Sequence, residues 1–207
     1  MNTGLEIDAA GWVTSTAGTS TGSADAVSPN GLARAILRSP NFDARPTGVA
    51  PDLIVIHNIS LPPGQFGGGA VADFFLNRLD WDAHPFYNEI RGVRVSSHFL
   101  IARDGALQQF VSCNARAWHA GVSRFGERER CNDFSIGIEL EGCDDVPFED
   151  AQYASLAALV GALCARYPIA ALAGHSDIAP GRKTDPGACF DWRRLQIACA
   201  LPDKYFP

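Results

Sequence analysis

Five histidines, at positions 57, 84, 98, 119 and 175, are the side chains of this sequence best suited to metal or proton chemistry. His175 stands in the densest polar stretch, Gly174–Gly187 (GHSDIAPGRKTDPG), beside two Asp, a Lys and an Arg. Three Gly and two Pro in the same fourteen residues predict a loop of fixed shape rather than a helix or central strand. A polar loop that must hold one shape is more often a site than a spacer. His57 ends the aliphatic run Leu53–Ile56, which reads as a strand buried on both faces. His57, His175 and Asp185 make two imidazoles and one carboxylate, a zinc ligand set that leaves a fourth position for water. An open position marks a catalytic site rather than a structural one. On residue types alone, ordinary hydrogen-bonded histidines remain the alternative.

The other candidates are open in the same way. Glu139 is the candidate general base, on the polar side of an alternating strand, yet Glu141 has an equal claim and either could simply face solvent. Lys183 could set a positive charge near a developing oxyanion, or be a solvated loop cation. Trp118, in Trp118–Gly121 (WHAG), could stack on a sugar face or belong to the core. Arg94 and Arg130 could each take a ligand carboxylate through a two-pronged contact.

The elements that must position these groups follow from pattern. Loop signals fill Leu61–Gly69 (LPPGQFGGG), and helical spacing runs through Ala70–Leu79. Val95–Ala102 and Ala106–Val111 flank an Asp–Gly turn and predict a hairpin. Asp133–Glu141 alternates, with Phe134, Ile136, Ile138 and Leu140 on one side and Ser135, Gly137, Glu139 and Glu141 on the other. Phe148–Tyr167 carries an apolar stripe and stops at Pro168, and Asp191 can cap a last helix. The expected fold is one α/β domain, residues 32–207, whose central, mostly antiparallel mixed sheet is flanked by helices, with the zinc site in a surface cleft. Residues 1–31 form an N-terminal extension, and its Ser/Thr/Gly-rich part, 13–31, is expected to be mobile.

Composition narrows the function. With 46% hydrophobic and 19% charged residues, the chain can bury a proper core. A net charge of −6 disfavours nucleic acid and anionic membranes as partners. No apolar run is long enough to span a bilayer. The first basic residue is Arg34, and no apolar core of secretory-signal type precedes it. The expectation is a cytoplasmic, monomeric protein whose six cysteines, without CxxC pairing, are reduced thiols.

Three stretches carry a resemblance in addition to the opening loop. They are His57–Gly64 (HNISLPPG), Arg116–Gly121 (RAWHAG) and Cys131–Gly142 (CNDFSIGIELEG). In this order they closely resemble the AmpD-type 1,6-anhydro-N-acetylmuramyl-L-alanine amidases, within the zinc amidase superfamily that includes phage-type amidases and peptidoglycan recognition proteins. The likeness runs from about Leu32 to Trp192. It implies zinc held by His57, His175 and Asp185, with Glu139 and Lys183 catalytic. It also implies Asn58, Arg94, Trp118 and Arg130 in the substrate cleft, and structural or supporting roles for His84, His98 and His119. Many relatives place Cys at the third ligand position, but here the match puts Asp185 there, not Cys189. Residues 13–31 look like an insertion relative to the family.

The activity implied is hydrolysis of the amide between the lactyl group of an anhydromuramic acid and L-alanine of the stem peptide. A cytoplasmic enzyme would meet soluble anhydromuropeptides, which points to peptidoglycan recycling. The alternatives are an amidase acting on intact peptidoglycan, a non-catalytic peptidoglycan-binding module, and a structural-zinc domain. Retention of all three ligand positions, Glu139 and Lys183 favours the enzyme over the binding module, and a ligand set without cysteine disfavours structural zinc.

Overall fold

The structure is a computed structural model that describes residues 4–15, 26–27 and 33–207. In chain order the strands are β1 (Leu5–Ile7), β2 (Val13–Ser15), β3 (Ala26–Val27), β4 (Ala33–Ile36), β5 (Phe42–Ala44) and β6 (Leu53–Ile59). Helix α1 (Ala70–Phe75) precedes β7 (Phe99–Ile101), β8 (Leu107–Gln109), β9 (Ala115–Ala117), β10 (Arg124–Phe125), β11 (Arg128–Glu129) and β12 (Ser135–Glu141). Then come α2 (Asp150–Arg166), β13 (Ala171–Gly174), the single turn α3 (His175–Ile178) and α4 (Trp192–Cys199).

Among the described residues, seven strands form the central sheet in the order β13-β6-β12-β7-β8-β4-β3. The β13–β6, β6–β12, β12–β7 and β4–β8 pairs are parallel, and only β7–β8 and β3–β4 are antiparallel. The α/β class with a mixed sheet therefore holds, but the expectation of a mostly antiparallel sheet is wrong. Its one visible antiparallel signal was local, the Asp104–Gly105 turn between β7 and β8. Parallel partners are joined by long crossovers, such as α2 between β12 and β13, and leave no turn signal.

Parallel strands covered on both faces read as continuous apolar runs, and β6 does so. Strand β12 alternates instead, yet all seven of its residues are buried. Its apolar side, with Ile136, Ile138 and Leu140, joins Ile54, Ile56, Phe99 and Ile101 under Leu156, Leu159, Val160 and Leu163 of α2. Its other side, carrying Ser135, Gly137, Glu139 and Glu141, is not the solvent face that alternation predicts. It is buried along with Leu53, Val55 and His57 on the sheet face turned away from α2.

Several elements are shorter or more regular than the pattern suggested. Helix α1 covers six residues, not ten, because Asn77 takes a positive φ of 57° just past its end. The loop of Gly174–Gly187 includes the helical turn α3, closed by Asp177 Oδ2 accepting the Gly174 N–H at 2.6 Å. Asp191 caps α4 as expected, accepting the Arg194 N–H at 2.8 Å. The six cysteines are unpaired.

The β1–β2 hairpin docks on the core through Leu5, Ile7 and Val13. Buried Gln109 holds it there, accepting from Val13 N at 2.7 Å and donating to the Gly11 carbonyl at 2.8 Å. Of the segment 13–31 expected to be mobile, residues 13–15 and 26–27 are strand residues, and the rest lie outside the described residues. Among the described residues no helix is long and apolar enough to cross a membrane.

Candidate active site

The site gathers at the C-terminal ends of three adjacent parallel strands, where ligands bind in open α/β sheets. β6 supplies His57, β12 supplies Glu139, and His175 follows directly on β13. The register sets them side by side: Glu139 pairs with His57 across β12 and β6, and Gly174 pairs with Ile56 across β13 and β6. Asp185 is brought in by the loop after α3. Its carbonyl accepts the Ser176 N–H at 2.9 Å. The Asn58 amide clamps the same loop from β6, donating to the Pro186 carbonyl at 3.0 Å and to Asp144 at 2.7 Å.

His57 Nδ1, His175 Nδ1 and Asp185 Oδ2 form a near-equilateral triangle with edges of 3.0, 3.0 and 3.1 Å. His57 and His175 are buried and Asp185 is half-buried. The donor set fits a metal ion for a reason visible in the hydrogen bonds. His175 Nε2 faces the Ala120 carbonyl at 3.1 Å, an acceptor only, so Nε2 carries the proton. In the neutral ring Nδ1 is then bare and points at a carboxylate oxygen that is also bare. Lone pairs facing one another at this distance call for a cation between them. A tetrahedral ion with ligands about 2.0–2.1 Å away holds them about 3.3 Å apart, close to the edges observed. Cys189 is outside the triangle.

Electrostatics agree. Burial, with His175 nearby, pushes His57 down to about 4 against the pull of Asp185, so its imidazole is neutral and free to ligate. Burial pushes Asp185 up, but the close approach of His175 and His57 outweighs it and holds the carboxyl well below the usual range. Glu139 is 7% exposed, and its Oε2 is buried without a partner. Burial first and Asp185 second raise its proton affinity, while Lys183 lowers it.

Two adjoining cavities open on the cluster, of about 380 and 270 Å³. His119, Trp118, His175 and Lys183 line both. The larger adds the cations Arg94 and Arg182, whereas the smaller adds Phe74, Ile90 and Val93 alongside His57, Asn58, Glu139 and Asp185. Of the residues expected here, Arg130 is the exception. Its side chain is 71% exposed, pairs with Asp133, and borders neither cavity. Glu141 is committed elsewhere, accepting from Gly67 N at 2.5 Å and Arg103 N at 3.2 Å. His84 caps a short turn by accepting the Phe86 N–H. His98 accepts the Gly137 N–H at 3.0 Å. Arg182 braces the neighbouring segment through the Ala120 and Val122 carbonyls.

Sequence reasoning missed Asn132, whose Oδ1 accepts both the His119 and Ala120 N–H groups, at 3.1 and 2.8 Å. It also missed Ser135, which meets His119 at 3.2 Å. Both lie inside the stretch Cys131–Gly142, but no spacing rule connects them to His57, more than seventy residues upstream.

Fold and site together define an α/β protein built on a mixed sheet, with a triad able to hold one metal ion and a buried carboxyl beside it. The chain belongs to the N-acetylmuramoyl-L-alanine amidase family, whose model matches residues 47–188. It is 56% identical over 165 residues to the 1,6-anhydro-N-acetylmuramyl-L-alanine amidase AmpD of Salmonella typhimurium, covering 79% of this chain and 88% of that one. A crystal structure of a selenomethionine AmpD derivative superposes with a TM-score of 0.77 at 54% identity, covering 79% of this chain and 92% of the other. AMPDH3 from Pseudomonas aeruginosa, solved in complex with anhydromuramic pentapeptide, has a TM-score of 0.53 at 30% identity, covering 72% of this chain and 59% of its own.

Proposed function

We propose that this amidase is a zinc enzyme that cleaves the amide between anhydro-N-acetylmuramic acid and L-alanine in soluble muropeptides, the step that recycles peptidoglycan fragments in the cytoplasm. The observation that carries the proposal is the adjacency of Glu139 to the His57–His175–Asp185 triangle. The relatives named for the anhydro substrate, and the complex with anhydromuramic pentapeptide, support the choice of substrate. The catalytic unit is residues 32–207, acting as a monomer, with 1–31 as an extension.

His57, His175 and Asp185 hold the ion, and two imidazoles with one carboxylate suit zinc with an open fourth position. Zinc, where bound, supplies Lewis-acid polarisation of the attacking water and of the amide carbonyl. Glu139 takes the proton of the attacking water and returns it to the alanine nitrogen, which leaves poorly unless protonated. Its raised proton affinity suits a group that must serve as base and then as acid. Lys183, on the rim of both cavities, faces the negative charge that develops on the carbonyl oxygen. Arg94 offers a charged contact for the carboxylates of the stem peptide, and Trp118 an aromatic face for the sugar. Asn58 acts mainly through the loop it clamps.

Metal analysis tests this. The purified protein should hold one zinc per chain, lose activity on chelation and regain it with added zinc. Full activity after complete removal of the metal would refute the proposal.

A further inference from the structure

His57 Nε2 lies 2.9 Å from Nδ1 of the buried His119, and His119 Nε2 lies 3.2 Å from Ser135 Oγ. We propose that His119 is a positioning residue of the metal site, accepting the His57 Nε2–H at its own Nδ1 and passing its Nε2–H on to Ser135, so that His57 is fixed as an Nδ1 ligand. The inference rests on the zinc reading above and concerns how the protein orients its first imidazole.

The proton placement follows from the contacts. His57 Nδ1 faces Asp185 and His175, so its lone pair belongs to the metal and its proton to Nε2. That proton needs an acceptor in a buried position, and His119 Nδ1 is the one in reach. With Nδ1 accepting, His119 carries its proton on Nε2, toward a serine hydroxyl that can accept. All three groups are then satisfied by one tautomer each.

The surroundings are shaped for this ring. Asn132 Oδ1 pins the backbone N–H groups of His119 and Ala120. Gly137, in the middle of β12, leaves the space the imidazole occupies, since a Cβ there would come within 2.5 Å of His119 Cγ. Consecutive residues thus orient both ligand histidines: His119 through its side chain onto His57, and Ala120 through its carbonyl onto His175. A neutral imidazole behind His57 also differs from the carboxylate that often backs a metal-bound histidine. It fixes the ring without adding negative charge, leaving the ion the stronger Lewis acid.

The test compares two variants of nearly the same shape. Asn at position 119 keeps an acceptor close to where Nδ1 stood, and Leu does not. Zinc affinity is read by competition with a chromophoric chelator in wild type, His119→Asn and His119→Leu. The leucine variant should bind about 10–100-fold more weakly than wild type, and the asparagine variant should recover most of that loss. Equal affinities for the two variants would overturn the proposal. A measurement on the unaltered zinc protein stands beside it in case a variant misfolds. Long-range ¹H–¹⁵N correlation should show His57 protonated at Nε2 alone and His119 unprotonated at Nδ1. A proton on His119 Nδ1 would sink the idea. Failure of the wild type to hold stoichiometric zinc would refute the metal reading itself, whereas tight wild-type binding with indistinguishable variants refutes only the role of His119.

Discussion

Glu139 and His57 occupy the same register position on neighbouring parallel strands, so their side chains emerge on the same sheet face beside each other. The backbone ladder fixes their separation, without any loop between them. A carboxyl held this way meets the candidate metal site at a distance set by strand spacing, about 4.8 Å between backbones. Replacing it by Gln keeps the shape and removes the proposed base. Glu139→Gln should retain its zinc and lose about 10²–10⁴ in kcat. Metal content and single-turnover rates check both halves, and near-normal turnover would move the base role to another group.

Lys183 should matter to the chemical step more than to binding. Lys183→Met is expected to lower kcat by about 10²–10³ with little change in KM, the signature of a contact made mainly in the transition state. A variant with raised KM and unchanged kcat would make Lys183 a binding residue instead.

Gly187 follows the Asp185–Pro186 pair at φ +83°, and a Cβ there would stand 2.5 Å from Asp144 Cα. Both the positive φ and backbone crowding oppose any side chain. Gly187→Ala should cost at least about 1–2 kcal/mol in stability and weaken zinc binding by shifting Asp185. Thermal unfolding and metal titration together check this, and a variant with wild-type values in both would contradict it.

Acid should destabilise the fold through His98. Burial first, then Arg45, push its imidazole down to about 3, against the Ala115 carbonyl, from 6.5 when free. Between those values the unfolded chain binds a proton that the folded protein excludes, so stability falls as pH drops from 6.5 toward 3 and is retained above that window. The loss is about 1.4 kcal/mol per pH unit inside it. Urea unfolding with chelator present, across this range, should show a steeper fall for wild type than for His98→Asn. Parallel slopes would contradict the assignment.

His57, His175 and Asp185 were candidates from residue type and a loop shaped by Gly and Pro, while their choice over ordinary hydrogen-bonded histidines came from the family resemblance; the structure brings the three together. The strand under His57 was legible because Leu53–Ile56 is purely aliphatic. Burial of Glu139 was not, since alternation along β12 looks the same whether the polar side meets water or an internal site. Parallel pairing was hidden for a related reason: Leu53 and Ser135 meet through a crossover of some eighty residues, and nothing local records it. Arg130 sits at an αL backbone position, φ 61°, and pairs with Asp133, a placement that spacing along the sequence does not reveal. The contacts of His119 with His57 and Ser135 were out of reach, as they depend on three strands coming together around Gly137.

The most direct measurement is product mass. The protein is incubated with a purified anhydromuropeptide in H₂¹⁸O, with and without chelator. Splitting into free stem peptide and an anhydromuramic acid carrying one ¹⁸O in its lactyl carboxylate, abolished by chelation, is the expected result. Intact substrate, cleavage at any other bond, or equal turnover with the metal removed would contradict a zinc-dependent amidase acting on anhydromuropeptides.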